Sequence, residues 1–235
     1  MKKIKLYCLP HAGGSASIYS TWKQGLNSNI ELCPIELAGR GRRFSEPLYN
    51  NINEAVDDVY EIIKNDIKDA PYAFFGHSMG CIISFELCHK IQSLDKNTPK
   101  HIFLSGAIAP NLKQCKNTSY NLSDSEFRLK LKLMGGTPTE ILENKELLDL
   151  YMPILRADFK ISETYKYLDK GVKISAEATI LNGKEDDLEL NEILEWHNHF
   201  SSNCKIHMFH GDHFYLHHNN NKNNIITIIN HTLQE

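Results

Sequence analysis

The stretch that most constrains this chain is Tyr72-Ala-Phe-Phe-Gly76-His77-Ser78-Met79-Gly80. Tyr72–Gly76 reads as a short aromatic strand. Met79–Ile91 reads as a helix that is apolar on most sides (Ile82, Ile83, Phe85, Leu87, Ile91), and such a helix belongs in the centre of a fold. Joining the two through G-x-S-x-G makes a turn so tight that the central serine takes a strained backbone conformation and lifts its hydroxyl above the sheet. A side chain at position 76 or 80 would collide with neighbouring backbone, hence the glycines. The start of the helix brings the Met79 N–H beside that hydroxyl, where charge on a reacting carbonyl oxygen would develop. Ser78 is therefore the candidate nucleophile and the Met79 amide a candidate oxyanion donor.

The rest of the 235 residues supplies the sheet such a turn needs. Short apolar runs at Ile4–Leu9, Ile30–Leu37, Tyr72–Gly76, His101–Ser105, Ala178–Leu181 and Lys205–Phe209 alternate with helical stretches. The helices fall near Ser17–Leu26, Ile52–Ile67, Met79–Ile91, Leu188–Phe200 and Asn223–Leu233. That alternation predicts an α/β fold, a mostly parallel sheet flanked by helices, in one domain over residues 1–235. The rhythm breaks from about 111 to 170, which predicts a helical insertion placed to act as a lid. Within it Ser123-Asp-Ser-Glu126 reads as a capping box, and Thr137-Pro-Thr-Glu140 as a second with Pro138 at the first helical position. Phe127, Leu129, Leu131 and Leu133 alternate like a strand, but the cap and the Leu129/Leu133 spacing favour a helix, which Gly135-Gly136 ends. Asn219–Asn224 reads as a solvated turn before the last helix.

A serine hydroxyl is a poor nucleophile until a base takes its proton, so an acid and a histidine should follow, each just after a strand. Ala178–Leu181 runs into Asn182-Gly-Lys-Glu185-Asp186-Asp187, and Lys205–Phe209 runs into His210-Gly-Asp-His213-Phe214. Asp186 is the expected acid, with Glu185 and Asp187 as rivals on the same loop. His213 is the expected base: His210 follows its strand immediately and should point sideways, whereas His213 lies beyond a glycine turn and has reach. His197, His199, His207, His217 and His218 read as surface or partly buried histidines. A second oxyanion donor is expected from Pro10-His11-Ala12-Gly13-Gly14-Ser15 after the first strand, at the Ala12 amide.

Composition removes other classes. A formal charge of −3 lacks the basic excess of a nucleic-acid binder, and no apolar run approaches the roughly 18–20 residues that span a bilayer. Met1-Lys2-Lys3 resembles the start of a signal peptide, but Lys5, Pro10 and His11 interrupt any apolar core, so a cytoplasmic protein is expected. Six cysteines without a C-x-x-C pair (Cys8, Cys33, Cys81, Cys88, Cys115, Cys204) read as small buried hydrophobes, none in an activating neighbourhood. Neither G-x-G-x-x-G nor G-x-x-x-x-G-K-[ST] is present, which argues against nucleotide binding. The H-x-H and H-x-x-H spacings near the end raise a metal site, but they run across a helix end, a strand and a loop without a compact ligand set.

These motifs together resemble the type II thioesterases, stand-alone editing hydrolases of nonribosomal peptide and polyketide synthases. The resemblance covers nearly the whole chain. It rests on Pro10-His-Ala-Gly-Gly-Ser15, Glu36-Leu-Ala-Gly-Arg-Gly41, Gly76-His-Ser-Met-Gly80, Phe85-Glu-Leu87, Gly135-Gly-Thr-Pro138, Pro153-Ile-Leu-Arg-Ala-Asp-Phe159 and Gly211-Asp-His-Phe214. Ala38 departs from the family's usual Pro, and Asp187 stands where a Pro often follows the acid, which keeps the Asp186/Asp187 choice open. The resemblance implies an α/β-hydrolase fold with a lid, the triad Ser78, Asp186 and His213, and no metal or organic cofactor. It also implies an acyl group held as a thioester on the phosphopantetheine arm of a carrier protein, and a monomer; that neither nucleic acid nor membrane is a partner is the expectation from composition. A general carboxylesterase, or an acyltransferase working from the same acyl-serine, is the alternative. Arg40, Arg42 and Arg43 read either as a solvated turn or as a basic loop for a carrier protein's acidic surface or phosphate.

Overall fold

The computed structural model describes residues 2–94, 97–112 and 118–234; Met1 and Cys115, both cited above, lie outside them. Six strands form one sheet: β1 (Ile4–Leu9), β2 (Ile30–Pro34), β3 (Tyr72–His77), β4 (His101–Ser105), β5 (Glu177–Gly183) and β6 (Cys204–Phe209). Their order is β2-β1-β3-β4-β5-β6 and every pairing is parallel. The chain leaves β1 for β2 on one side, then returns to place β3 on the other. Loops after β1 and β3 thus diverge at the carboxyl edge and leave a crevice, the place where open α/β sheets bind ligands.

The helices are α1 (Ile52–Ile63), α2 (Asp66–Asp69), α3 (Met79–Ser93), α4 (Asp124–Met134), α5 (Thr139–Glu143), α6 (Lys145–Glu163), α7 (Leu190–Leu194) and α8 (Asn219–Thr232). One sheet face packs on α1 and α3 through Val56, Val59, Ile83, Phe85 and Leu87. The other packs on Tyr19, Trp22 and the Ile225/Ile226/Ile229 stripe of α8. Nearly every residue of α3 is buried, as its lack of a polar face requires. A third apolar cluster (Phe127, Leu131, Leu142, Leu148, Met152, Leu155, Phe159) holds α4, α5 and α6 together between β4 and β5.

Several sequence expectations are corrected. The 3-10 helix Ala16–Gln24 replaces the helix expected over Ser17–Leu26. Ile52–Ile67 breaks into α1 and α2, and Leu188–Phe200 into α7 and a 3-10 turn. β2 stops at Pro34, opposite the end of β1, although Ile35 and Leu37 remain buried. α4 has the expected Ser123 capping box, with Ser123 N–H donating to Glu126 Oε2 at 3.0 Å. Its inward face, however, is Phe127 and Leu131; Leu129 and Leu133 are 58% and 79% exposed. Pro138, not Thr137, is the N-cap of α5, and no side chain caps it. Asn219–Asn224 is the start of α8 rather than a turn, anchored by Asn221 Nδ2 donating to the carbonyls of His210 (2.7 Å) and Tyr215 (3.0 Å). Cys8, Cys81, Cys88 and Cys204 are buried and Cys33 is half-buried. Burial pushes the Cys8 and Cys88 thiols up, away from reactive thiolate.

Candidate active site

Ser78 sits between β3 and α3 with φ 54° and ψ −112°, the one non-glycine residue with positive φ among those described. Such a conformation costs on the order of 1–3 kcal/mol and persists only where its surroundings impose it. Here they do. A Cβ on Gly76 would lie 2.2 Å from the Gly80 carbonyl oxygen, and a Cβ on Gly80 2.2 Å from that of Leu9. The Ser78 N–H donates to the Ser105 carbonyl at 2.8 Å, tying the turn to β4. The buried flanks of β3 and α3 leave the strained turn no room to relax.

Asp186 and His213 come together from the ends of β5 and β6, with His213 Nδ1 at 2.8 Å from Asp186 Oδ2. Asp186 is nearly buried; its other oxygen accepts the Asp187 N–H at 2.9 Å. The rivals are engaged elsewhere or face solvent. Glu185 accepts the Gly211 N–H and lies 3.6 Å from His210 Nδ1, whose side chain is 85% exposed, and Asp187 is exposed. The approach of the two loops depends on Gly183, where a Cβ would stand 2.3 Å from Gly211 O and 2.4 Å from Asp212 O.

Around His213 stand residues that sequence reasoning left without a role. The His77 ring lies 5.1 Å from that of His213, and its Nδ1 is 2.9 Å from Ser105 Oγ, which in turn meets the Tyr215 hydroxyl at 2.6 Å. Gly106, at φ 65°, leaves space for both rings, since a Cβ there would lie 2.7 Å from His77 Cε1. The His11 ring packs edge-on against Phe214 and His77. Burial first, and then the nearby histidines, push His11 down to about 3 and His77 well below the usual imidazole range. Both shifts disfavour the charged form of the rings that flank the candidate base, His213. Both stand inside motifs already singled out, but only their burial reveals the role.

Ser78 and His213 line one cavity of about 190 Å³, bounded by His11, Ala12 and Phe214 below and by Leu131, Leu155 and Phe159 from the helices above. Phe214 wedges under the turn after α4: a Cβ on Gly136 would fall 2.1 Å from its ring. Among the described residues neither the Met79 nor the Ala12 N–H has a hydrogen-bond partner. Ala12 lines the cavity and Met79 directly follows the serine that lines it, so these two N–H groups are the candidate donors for an anion there.

The basic loop is corrected. Arg40 is 2% exposed and forms a two-pronged pair with Asp158 of α6, at 2.5 and 2.8 Å. Arg43 is bound to Asp58, Glu46 and the Glu36 carbonyl. Of the three, Arg42 alone is exposed, so the loop is built largely as internal structure rather than as a free cationic patch.

A profile of the thioesterase domain matches residues 4–233. Linear gramicidin dehydrogenase LgrE of Brevibacillus parabrevis is 36% identical over 236 residues, covering 99% of this chain and 88% of that protein. Among solved structures, ClbQ from the colibactin NRPS/PKS pathway superposes with a TM-score of 0.93 at 32% identity, covering 99% and 98% of the two chains. BorB, the type II thioesterase of the borrelidin biosynthetic cluster, superposes at 0.89 with 29% identity, over 98% and 93%.

Proposed function

The chain belongs to the thioesterase family, and from that membership we propose that it hydrolyses acyl groups held as thioesters on the phosphopantetheine arm of a carrier protein. Its task on this reading is editing: misloaded or stalled arms of a nonribosomal peptide or polyketide synthase are cleared and returned to use. The single observation that carries the reading is the 2.8 Å contact between His213 and Asp186 beside a cavity that His213 shares with a strained serine.

Ser78 Oγ attacks the thioester carbonyl while His213 Nε2 takes its proton. Asp186 accepts from Nδ1, which fixes the tautomer and stabilises the imidazolium. The Met79 and Ala12 amides hold the tetrahedral oxyanion, where one such donor is typically worth about 3–4 kcal/mol. The leaving thiol has a pKa of about 8.5, so its C–S bond breaks readily, and the departing sulfur takes the proton from the His213 imidazolium, which returns the ring to its neutral form. His213 then takes a proton from water as that water attacks the acyl-serine, and passes it to Ser78 Oγ as the acid leaves. The enzyme works in the cytoplasm as a monomer, one domain in which α4, α5 and α6 act as a lid over the acyl chain. Among the described residues no helix is long and apolar enough to cross a membrane. A dehydrogenase, which the name of one relative denotes, would call for a dinucleotide fingerprint, and the turn after β1 is His11-Ala-Gly-Gly14 without G-x-G-x-x-G.

The test loads a carrier protein with acyl groups of graded length and compares release with hydrolysis of matched oxygen esters. Faster turnover of the carrier-bound thioesters supports the reading. Preference for the oxygen esters would make the chain a carboxylesterase instead.

A further inference from the structure

The loop bearing the Ala12 amide closes its own turn through the Gly14 N–H donating to the His11 carbonyl at 2.9 Å, and α6 and Arg40 grip that turn from outside. Asp158 Oδ2, on α6, accepts the Gly13 N–H at 2.7 Å. The same carboxylate is gripped by Arg40, whose Nη1 also donates to the Gly14 carbonyl at 3.2 Å. Leu155, one turn earlier on α6, presses on Gly13, where a Cβ would lie 2.4 Å from its Cδ2. The loop's far end is held by Glu36 Oε1, which accepts the Ala16 N–H at 2.9 Å.

We infer that Arg40 and Asp158 are positioning residues through which the helical insertion sets the geometry of the oxyanion site. Asp158 and Arg40 are both almost wholly buried. Burying such a pair is costly, and well-packed apolar residues of similar size often stabilise a fold as well or better. Stability alone therefore gives little reason for an ion pair here. An acceptor aimed at Gly13 does: it engages the amide next to Ala12 and leaves the Ala12 N–H to face the cavity. The insertion then does more than cover the substrate, because the donor is aligned only while α6 is seated. This inference rests on Ala12 as an oxyanion donor.

The test uses Asp158→Asn and the apolar pair Arg40→Met with Asp158→Leu, each assayed for kcat, KM, thermal unfolding and affinity for a trifluoromethyl ketone analogue of the acyl thioester. That ketone is attacked by a serine to give a tetrahedral oxyanion. Misplacing a donor by about 1 Å costs on the order of 10²-fold. In both variants kcat and ketone affinity should fall together by roughly 10–100-fold, with KM within about threefold. The apolar pair should unfold near the wild-type temperature while its kcat stays low. Recovery of kcat together with stability in the apolar pair would reduce the ion pair to a structural contact and overturn the inference. Ketone affinity unchanged in both variants, with the wild type forming the adduct, overturns the coupling alone. A wild type that forms no adduct at Ser78 removes the serine mechanism itself, and the inference with it.

Discussion

Asp186 stands apart from its neighbours because they already have partners or face water. Glu185 ties down Gly211, Asp187 is exposed, and Asp186 alone reaches the His213 ring. Asp186→Asn should leave the fold intact and lower kcat by roughly 10³–10⁴-fold, the effect of a lost tautomer-fixing carboxylate. Asp187→Asn should stay within about twofold, as exposed polar changes usually do; steady-state kinetics on an acyl thioester separate the two. Gly183→Ala drives a Cβ into the loop that carries His213, so activity should fall with little change in cavity lining. Sequence order was enough to nominate Ser78, Asp186 and His213, because each follows a recognisable strand. The Arg40–Asp158 pair was not legible, although both residues lie in motifs singled out at the start. They are 118 positions apart, and no periodicity joins them. The burial of the His11 and His77 rings is a tertiary fact of the same kind.

Helix α4 shows why an element can be predicted correctly and oriented wrongly. Alternating apolar residues give it two candidate stripes, Phe127/Leu131 and Leu129/Leu133, with identical spacing. Only packing against Leu142, Met152 and Phe159 selects the first. Phe127→Ala should therefore destabilise by about 3–5 kcal/mol, whereas Leu133→Ala should change stability by no more than about 0.5 kcal/mol. Ser123→Ala, which removes the cap, should cost about 1 kcal/mol. Urea midpoints for the three variants test the ranking; a larger loss at Leu133 than at Phe127 would mean the helix is rolled the other way. α8 teaches the complementary lesson. Six polar residues read as a turn, yet they form helix because Asn221 bonds backbone carbonyls presented by the loop after β6 and the turn beyond it.

At the scale of the whole molecule, strand alternation gave the parallel sheet, while strand order and the position of the crevice are set by which helices share a face. The same burial makes the fold acid-sensitive. Burial pushes His11 down to about 3 and His101, which meets Thr179 Oγ1 at 2.8 Å, down to about 4. Unfolded, each takes up a proton near the ordinary value of about 6.5. Below that pH the unfolded chain binds more protons than the folded one, so stability falls as pH falls, by on the order of 2 kcal/mol per imidazole between pH 7 and 5. His101→Gln should flatten part of that acid limb in urea titrations at the two pH values; an unchanged slope would show the group is protonated in the fold. The central claim, that one strained hydroxyl accepts the acyl group before water does, is tested most directly by quenching the enzyme during turnover of an acyl thioester and mapping the added mass by peptide mass spectrometry. The mass of the acyl group should appear on the peptide containing Ser78 and vanish in Ser78→Ala together with turnover. Acyl mass on a different residue, or full turnover by Ser78→Ala, would contradict it.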